Sequence, residues 1–236
     1  MFGRAARPRW AGALRYHGAV KKIVILGTGG NCIDILDTLN DINQIRPEYQ
    51  CVGFLDDTQA NWGKDLHGIK VLVPLDSAAK YNDCLFVNGI GSPGNFWKKD
   101  AIICKTGVPD NRFATIVHPT ASVSKMATLG AGVVVFQNAT ITSNVRLGKH
   151  VIVLPNAVVS HDDVIGDYTC ITGGVCISGG VTIGSSCYIG TNSAINGNIA
   201  IGDYCLVGMG SVVLKSVPEN SVVVGAPARF IRHTRS

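Results

Sequence analysis

The sequence predicts a small Rossmann-like α/β unit over residues 21–110, followed by an all-β parallel β-helix over residues 111–213. Three observations carry this. Stepping by six from Val117 through Ile165 to Val213, all 17 positions are Val, Ile or Leu, without an insertion. Neither the helical period of 3.6 nor the strand period of 2 yields a six-residue repeat by itself, whereas a repeated short strand and turn does. Second, Gly130, Gly148, Gly166, Gly184 and Gly202 recur every 18 residues. Three hexads therefore make one coil of a triangular prism, with glycine expected to supply backbone freedom at a corner. Third, the N-terminal half alternates β-branched runs with helical patterns, the signature of a parallel sheet.

Within the repeat, the position four after each aliphatic is small or β-branched, from Val133 and Ala139 to Ser211 and Val217. These side chains are expected to share the prism interior. Asp163 breaks the column, two residues from His161. Such local rule-breaking concentrates at functional sites.

In the N-terminal half, Lys22–Leu26 reads as a strand ending at Gly27-Thr28-Gly29-Gly30, and Ile33, Leu36 and Leu39 mark the helix that follows. Cys51–Leu55 is a second strand, leading to Asp56-Asp57. Ile69–Val73 and Cys84–Ile90 read as further strands, Leu75–Tyr81 as a short helix and Phe96–Lys105 as another. A glycine turn between strand and helix presents amides and the helix dipole to a phosphate. An acid after the second strand suits a ribose hydroxyl. GTGG is not GxGxxG, and the plain alternative is a tight turn with a solvated acidic loop. A unit of this size fits one nucleoside diphosphate better than a dinucleotide.

The formal charge is +5, but residues 1–20 hold four arginines and no acid, so the remainder is near neutral. That argues against nucleic-acid binding, which wants a basic face. Residues 1–20 read as a disordered extension, and residues 214–236 as a C-terminal segment and tail. No apolar run is long enough to span a bilayer. The eight cysteines form no CxxC pair, so they read as reduced, without a zinc cluster, in a cytoplasmic protein. Cys187 and Cys205, 18 apart, are expected to stack as small interior fillers.

Of the six histidines, His161 stands out. Its column, in steps of 18, reads Ser143, His161, Gly179, Gly197. With coils about 4.8 Å apart, glycine beyond His161 leaves a groove for a slender thioester arm. Asp162 is placed to orient the imidazole. From spacing alone, an exposed histidine on a polar turn is the alternative. A three-histidine zinc site is disfavoured, because His118 lies about two coils from His150 and His161.

The order GTGG, FLDD, hexads, Ser160-His161-Asp162-Asp163-Val164-Ile165-Gly166-Asp167-Tyr168 and Val224-Gly225-Ala226-Pro227-Ala228-Arg229 resembles the sugar O/N-acyltransferases of bacterial surface-glycan pathways, across about residues 21–232. These include sialic-acid O-acetyltransferases and nucleotide-linked aminosugar N-acetyltransferases. The resemblance implies a left-handed β-helix, a homotrimer with sites between neighbouring prisms, and acetyl-CoA as co-substrate without a metal. It implies that His161 is the catalytic base, that Asp162 is the acid beside it and that the Gly179 N–H faces the acetyl carbonyl. By the same resemblance Thr191, Gly208, Met209, Pro227 and Arg229 line coenzyme A, while Gly27, Gly29, Gly30, Asn31, Asp56 and Asp57 hold the nucleotide sugar. Three positions depart from the family pattern. Asn31 and Cys170 stand where histidines are common, and Leu154-Pro155-Asn156 replaces an Asn-Thr-containing stretch.

The expected activity is acetyl transfer from acetyl-CoA to the amine of a nucleotide-linked amino-deoxysugar. The alternatives are O-acetylation of a sialic acid or other sugar hydroxyl, and a non-catalytic scaffold that binds a nucleotide sugar. The sequence leaves the nucleobase, the sugar and the acyl length open.

Overall fold

The computed structural model describes residues 19–234, so most of the expected N-terminal extension lies outside them. Strand β1 (Lys21–Leu26) is the centre of a three-stranded parallel sheet, because its inner residues Ile23–Leu26 are buried on both faces. Helix α1 (Gly30–Ile45) follows, then β2 (Tyr49–Leu55) pairs along one side of β1. The expected strand over Ile69–Val73 is corrected. Instead β3 (Asp65–Leu66) and β4 (Ile69–Lys70) form a tight antiparallel hairpin. Its two turn residues, His67 and Gly68, both have positive φ (53° and 85°), which matches the twist of a two-residue hairpin. Strand β5 (Leu85–Asn88) flanks β1 on the other side, and α2 (Lys99–Cys104) closes the domain after a 3₁₀ turn.

From Ile116 the chain winds into a prism of two-residue strands, in three parallel faces. The first face carries Val134, Ile152, Cys170, Tyr188 and Leu206, and is extended by Ser221–Val224 and Arg229–His233. The second carries Ser122 to Val212 and the third Thr128 to Ala200, always in steps of 18. Both interior columns are where the sequence places them. Val133, Ala139, Val145, Val151, Ala157, Val175, Val181, Cys187 and Cys205 are fully buried with the aliphatic column, and all eight cysteines are free.

The expected role of the 18-residue glycines is corrected. The residues in the left-handed region lie two positions later. Every sixth residue from Gly132 to Gly210 has positive φ, and half of the non-glycines there are Asn. Asn tolerates that region better than other side chains. Gly130, Gly148, Gly166, Gly184 and Gly202 are needed for close approach instead. A methyl at Gly166 would stand 2.5 Å from the Gly184 carbonyl carbon one coil away.

The α/β domain sits on the first face. Ile35, Leu36 and Val87 pack with Ile116, Val134, Phe136, Ile152 and Cys170 in one buried cluster. Polar ties cross the same junction. Asp41 of α1 pairs with His118 at 2.9 Å, and the fully buried Lys99 donates to the His150 carbonyl at 2.6 Å. The His150 ring stacks on Tyr168 and meets the edge of Phe113, with no hydrogen-bond partner on either nitrogen. Burial, aided by Lys99, pushes its pKa down to about 4.

Two outcomes are expected. Because the folded His150 is held neutral, its contribution is complete above pH 6.5 and is lost as the pH falls from 6.5 through about 4, by up to about 3 kcal/mol. His150→Asn, which keeps a corner-compatible residue, removes that part of the acid sensitivity in urea unfolding across this range. Gly166→Ala forces two coils apart and lowers stability by about 2 kcal/mol or more in the same measurement.

Candidate active site

Two sets of functional side chains emerge, one in each unit. In the α/β domain, a cavity of about 580 Å³ opens where β1 turns into α1. It is lined by Gly27–Cys32, Asp56–Thr58, Gly89–Ser92 and Asn95, among others. Gly27 has φ +97° and no space for a side chain, since a Cβ would meet Ile90 at 2.8 Å and Cys32 at 2.9 Å. Gly29 and Gly30 have nothing within 4 Å of a Cβ, so the start of α1 is bare on the cavity side. That helix start has neither a capping side chain nor an acid in its first turn. Cys32 and Ile33 donate to the Gly29 carbonyl, so the Gly30 and Asn31 N–H groups and the helix dipole are what the cavity offers an anion.

Asp56 accepts from the Thr28 hydroxyl (2.6 Å), the Thr58 amide (2.8 Å) and the Asn61 side chain. Burial would raise its pKa, but these hydrogen bonds outweigh that and hold it below the usual carboxylate value. Asp57 also lines the cavity, yet its carboxylate is taken by the Leu75 amide and the Lys105 ammonium. Asn31 reaches across to the Gly91 carbonyl (3.3 Å), tying the helix start to the opposite wall. Sequence reasoning missed Thr28, Ser92 and Asn95. Thr28 sits inside the GTGG turn, and the other two lie in the Gly-Ser-Pro-Gly-Asn segment after the last strand, so turn composition marked both places.

In the prism, His161 and Asp162 occupy the edge between the second and third faces. Asp162 is a corner residue with φ 64°, which turns its carboxylate back to His161 Nδ1 at 2.8 Å. Its pKa is lowered by that hydrogen bond first and by the Asn144 amide second. Asn144 donates to it at 3.0 Å from one coil earlier, and the 18-residue step would have found it. With Nδ1 engaged by a carboxylate, Nε2 is the free basic nitrogen. The ring lies over Gly179, where a methyl would stand 2.4 Å from Cε1 and 2.5 Å from Nε2. Both side chains are more than half exposed.

The remaining expected positions lie elsewhere. Thr191, which contacts Thr172 at 3.2 Å, and Gly208 and Met209 occupy the edge between the first and second faces. Met209 is 77% exposed. Pro227 and Arg229 line a second cavity of about 320 Å³ beside Val213–Pro218. The structure thus joins His161, Asp162 and Gly179, and joins Pro227 to Arg229, but leaves these groups on different edges of one prism. Cys170 is buried at the domain junction, 3.6 Å from Lys99, and away from the His161 edge. Among the described residues no group of three or more His, Cys, Asp or Glu could hold a metal ion. Nor is any described helix long and apolar enough to cross a membrane.

Residues 22–96 match the PglD N-terminal domain family, and residues 180–215 match the bacterial transferase hexapeptide (six repeats) family. No curated protein matches the chain. Among solved structures, the acetyltransferase domain of PglB from Neisseria gonorrhoeae FA1090 in complex with acetyl coenzyme A is 24% identical. That match covers 90% of this chain and 100% of that one, with a TM-score of 0.79. PerB from Caulobacter crescentus in complex with CoA and GDP-perosamine is 24% identical, over 91% and 99% of the two chains, with a TM-score of 0.77. WeeI from Acinetobacter baumannii AYE is 28% identical, over 90% and 100%, with a TM-score of 0.75. With a PglD-type domain seated on a hexapeptide prism, the chain has the domain makeup of the hexapeptide-repeat sugar acyltransferases.

Proposed function

We propose that this protein transfers an acetyl group from acetyl-CoA to the amine of a nucleotide-linked amino-deoxysugar. The observation that carries the reading is the His161 ring, oriented by Asp162 and lying over Gly179. The ligands of the PglB and PerB structures, acetyl coenzyme A in one and CoA with GDP-perosamine in the other, support it.

The nucleotide end suits the α/β cavity. Diphosphate oxygens meet the bare start of α1 at Gly29 and Gly30, and Asp56, ionised at neutral pH, accepts from a hydroxyl. His161 Nε2 takes the proton that the attacking nitrogen must lose as it bonds to the acetyl carbonyl carbon. The carbonyl oxygen becomes an oxyanion, which the Gly179 N–H is placed to stabilise. Collapse expels the CoA thiolate, so no cysteine need act as a nucleophile. O-acetylation of a free sugar is the second reading, and it leaves the diphosphate-sized cavity without a use.

We also propose a homotrimer. The α/β domain covers the first face, whereas His161 lies on the opposite edge, between the second and third faces. One substrate molecule reaches both only if neighbouring copies supply them. The same packing brings the Thr191–Met209 edge of one copy beside the His161 edge of another.

His161→Ala is expected to lower kcat about 10²- to 10⁴-fold while acetyl-CoA binding persists. The assay is thiol release with a panel of nucleotide-linked 3-amino- and 4-amino-deoxysugars, with free sialic acid as control. Unchanged turnover in the variant removes His161 as the base, and release with sialic acid alone favours O-acetylation. Gly30→Val, which fills the open space at the helix start, is expected to weaken nucleoside diphosphate binding about tenfold or more in calorimetry and to leave acetyl-CoA binding unchanged.

A further inference from the structure

Asp163 points into the prism and is completely buried, in a column whose neighbours one coil away are Val145 and Val181. Its two carboxylate oxygens have different partners. Oδ2 accepts from the Ser160 amide at 3.0 Å, on the turn that carries His161. Oδ1 accepts from the Val181 amide at 2.8 Å, on the next coil, immediately after Gly179 and Gly180. Packing does not call for a carboxylate here, since valine fills the same place above and below. Burying a charge is costly, and the hydrogen-bond partners of this one are two backbone amides.

We propose that Asp163 is a positioning residue for acyl transfer, clamping the His161 turn to the Gly179 coil so that the imidazole stays over the Gly179 N–H. This rests on the reading of His161 as general base. The clamp needs both oxygens as acceptors. In a protonated carboxyl one oxygen becomes a hydroxyl, a much poorer acceptor than a carboxylate oxygen, so one of the two amide hydrogen bonds is weakened. Burial raises the pKa of Asp163 to about 6, against which the Val181 and Ser160 amides act only in part. The ionisable groups that face it are His161 and Asp162, both on its own turn, and the coils on either side present valines. The clamp is therefore closed above pH 6 and opens below it.

The test uses [15N]valine-labelled full-length protein, with the Val181 amide assigned through Val181→Ile. Between pH 5 and 8 that amide is expected to titrate with a midpoint of about 6, and to be flat in Asp163→Asn. In the thiol-release assay at pH 8, Asp163→Asn is expected to lower kcat about tenfold or more, with the acetyl-CoA KM changed by less than about twofold. Its acid limb should also be less steep than that of the wild type, because the Asp163 carboxyl is gone. Asp163→Val, which matches the column, should fold like the wild type by circular dichroism and share the loss of kcat. A flat Val181 amide in the wild type, or wild-type kcat and pH profile in Asp163→Asn, overturns the proposal. If the wild type transfers no acetyl group, the acyl-transfer reading fails, and the Val181 titration by itself decides whether the clamp exists.

Discussion

Each coil of the prism is tied to the next by parallel backbone hydrogen bonds from residue n to residue n + 17, as from Val134 to Val151, Ile152 to Thr169 and Arg146 to Asp163, at 2.9–3.0 Å. The ladder fixes the register of the whole domain at 18 residues per coil. It therefore decides which side chains meet. His161 lies over Gly179, Asn144 reaches Asp162, and the carboxylates of Asp167 and Asp203 cap the amides of Lys149 and Ser185 one coil earlier. A single inserted residue would move every later side chain out of its column, much as a register slip does in a sheet.

That constraint bears on the corners first. Strands two residues long cannot absorb misdirection, so each corner must turn through the same angle. The positive φ at every sixth residue does this. Corner residues are thus drawn from Asn, Gly and a few others, and function is confined to what that geometry tolerates. Asp162 is one of these corner residues, which is why a carboxylate adjacent in sequence can fold back on its histidine.

The three faces are not equivalent. On the first face the outward residues Ile116, Val134, Ile152 and Cys170 are buried, because the α/β domain lies on them. On the third face the outward residues Thr128, Arg146, Val164, Thr182 and Ala200 are exposed. The apolar first face fixes the α/β cavity at one side of the prism and leaves the His161 edge free. The cavity at the start of α1 and the His161–Asp162 pair are thus separated within one chain. Lys99, buried between them behind Gly91, links the cavity wall to the coil of His150.

The sequence by itself determined the coil length, both interior columns, the glycine turn after the first strand and the pairing of His161 with Asp162. These are local or strictly periodic, and the 18-residue step turns sequence separation into spatial contact. The outward first-face column was legible by the same step, as apolar residues where the third face has Thr and Arg. Only the tertiary structure decided why the 18-residue glycines are glycine. Coil-to-coil contact within 3 Å, rather than backbone angle, excludes their side chains. It also decided that Asp57 is spent on Leu75 and Lys105, and that Cys170 belongs to the domain junction. The two amide partners of Asp163 likewise appear only in three dimensions. The physical reason is shared: each depends on how a side chain is aimed and on what packs against it from another element, and no period in the sequence encodes that.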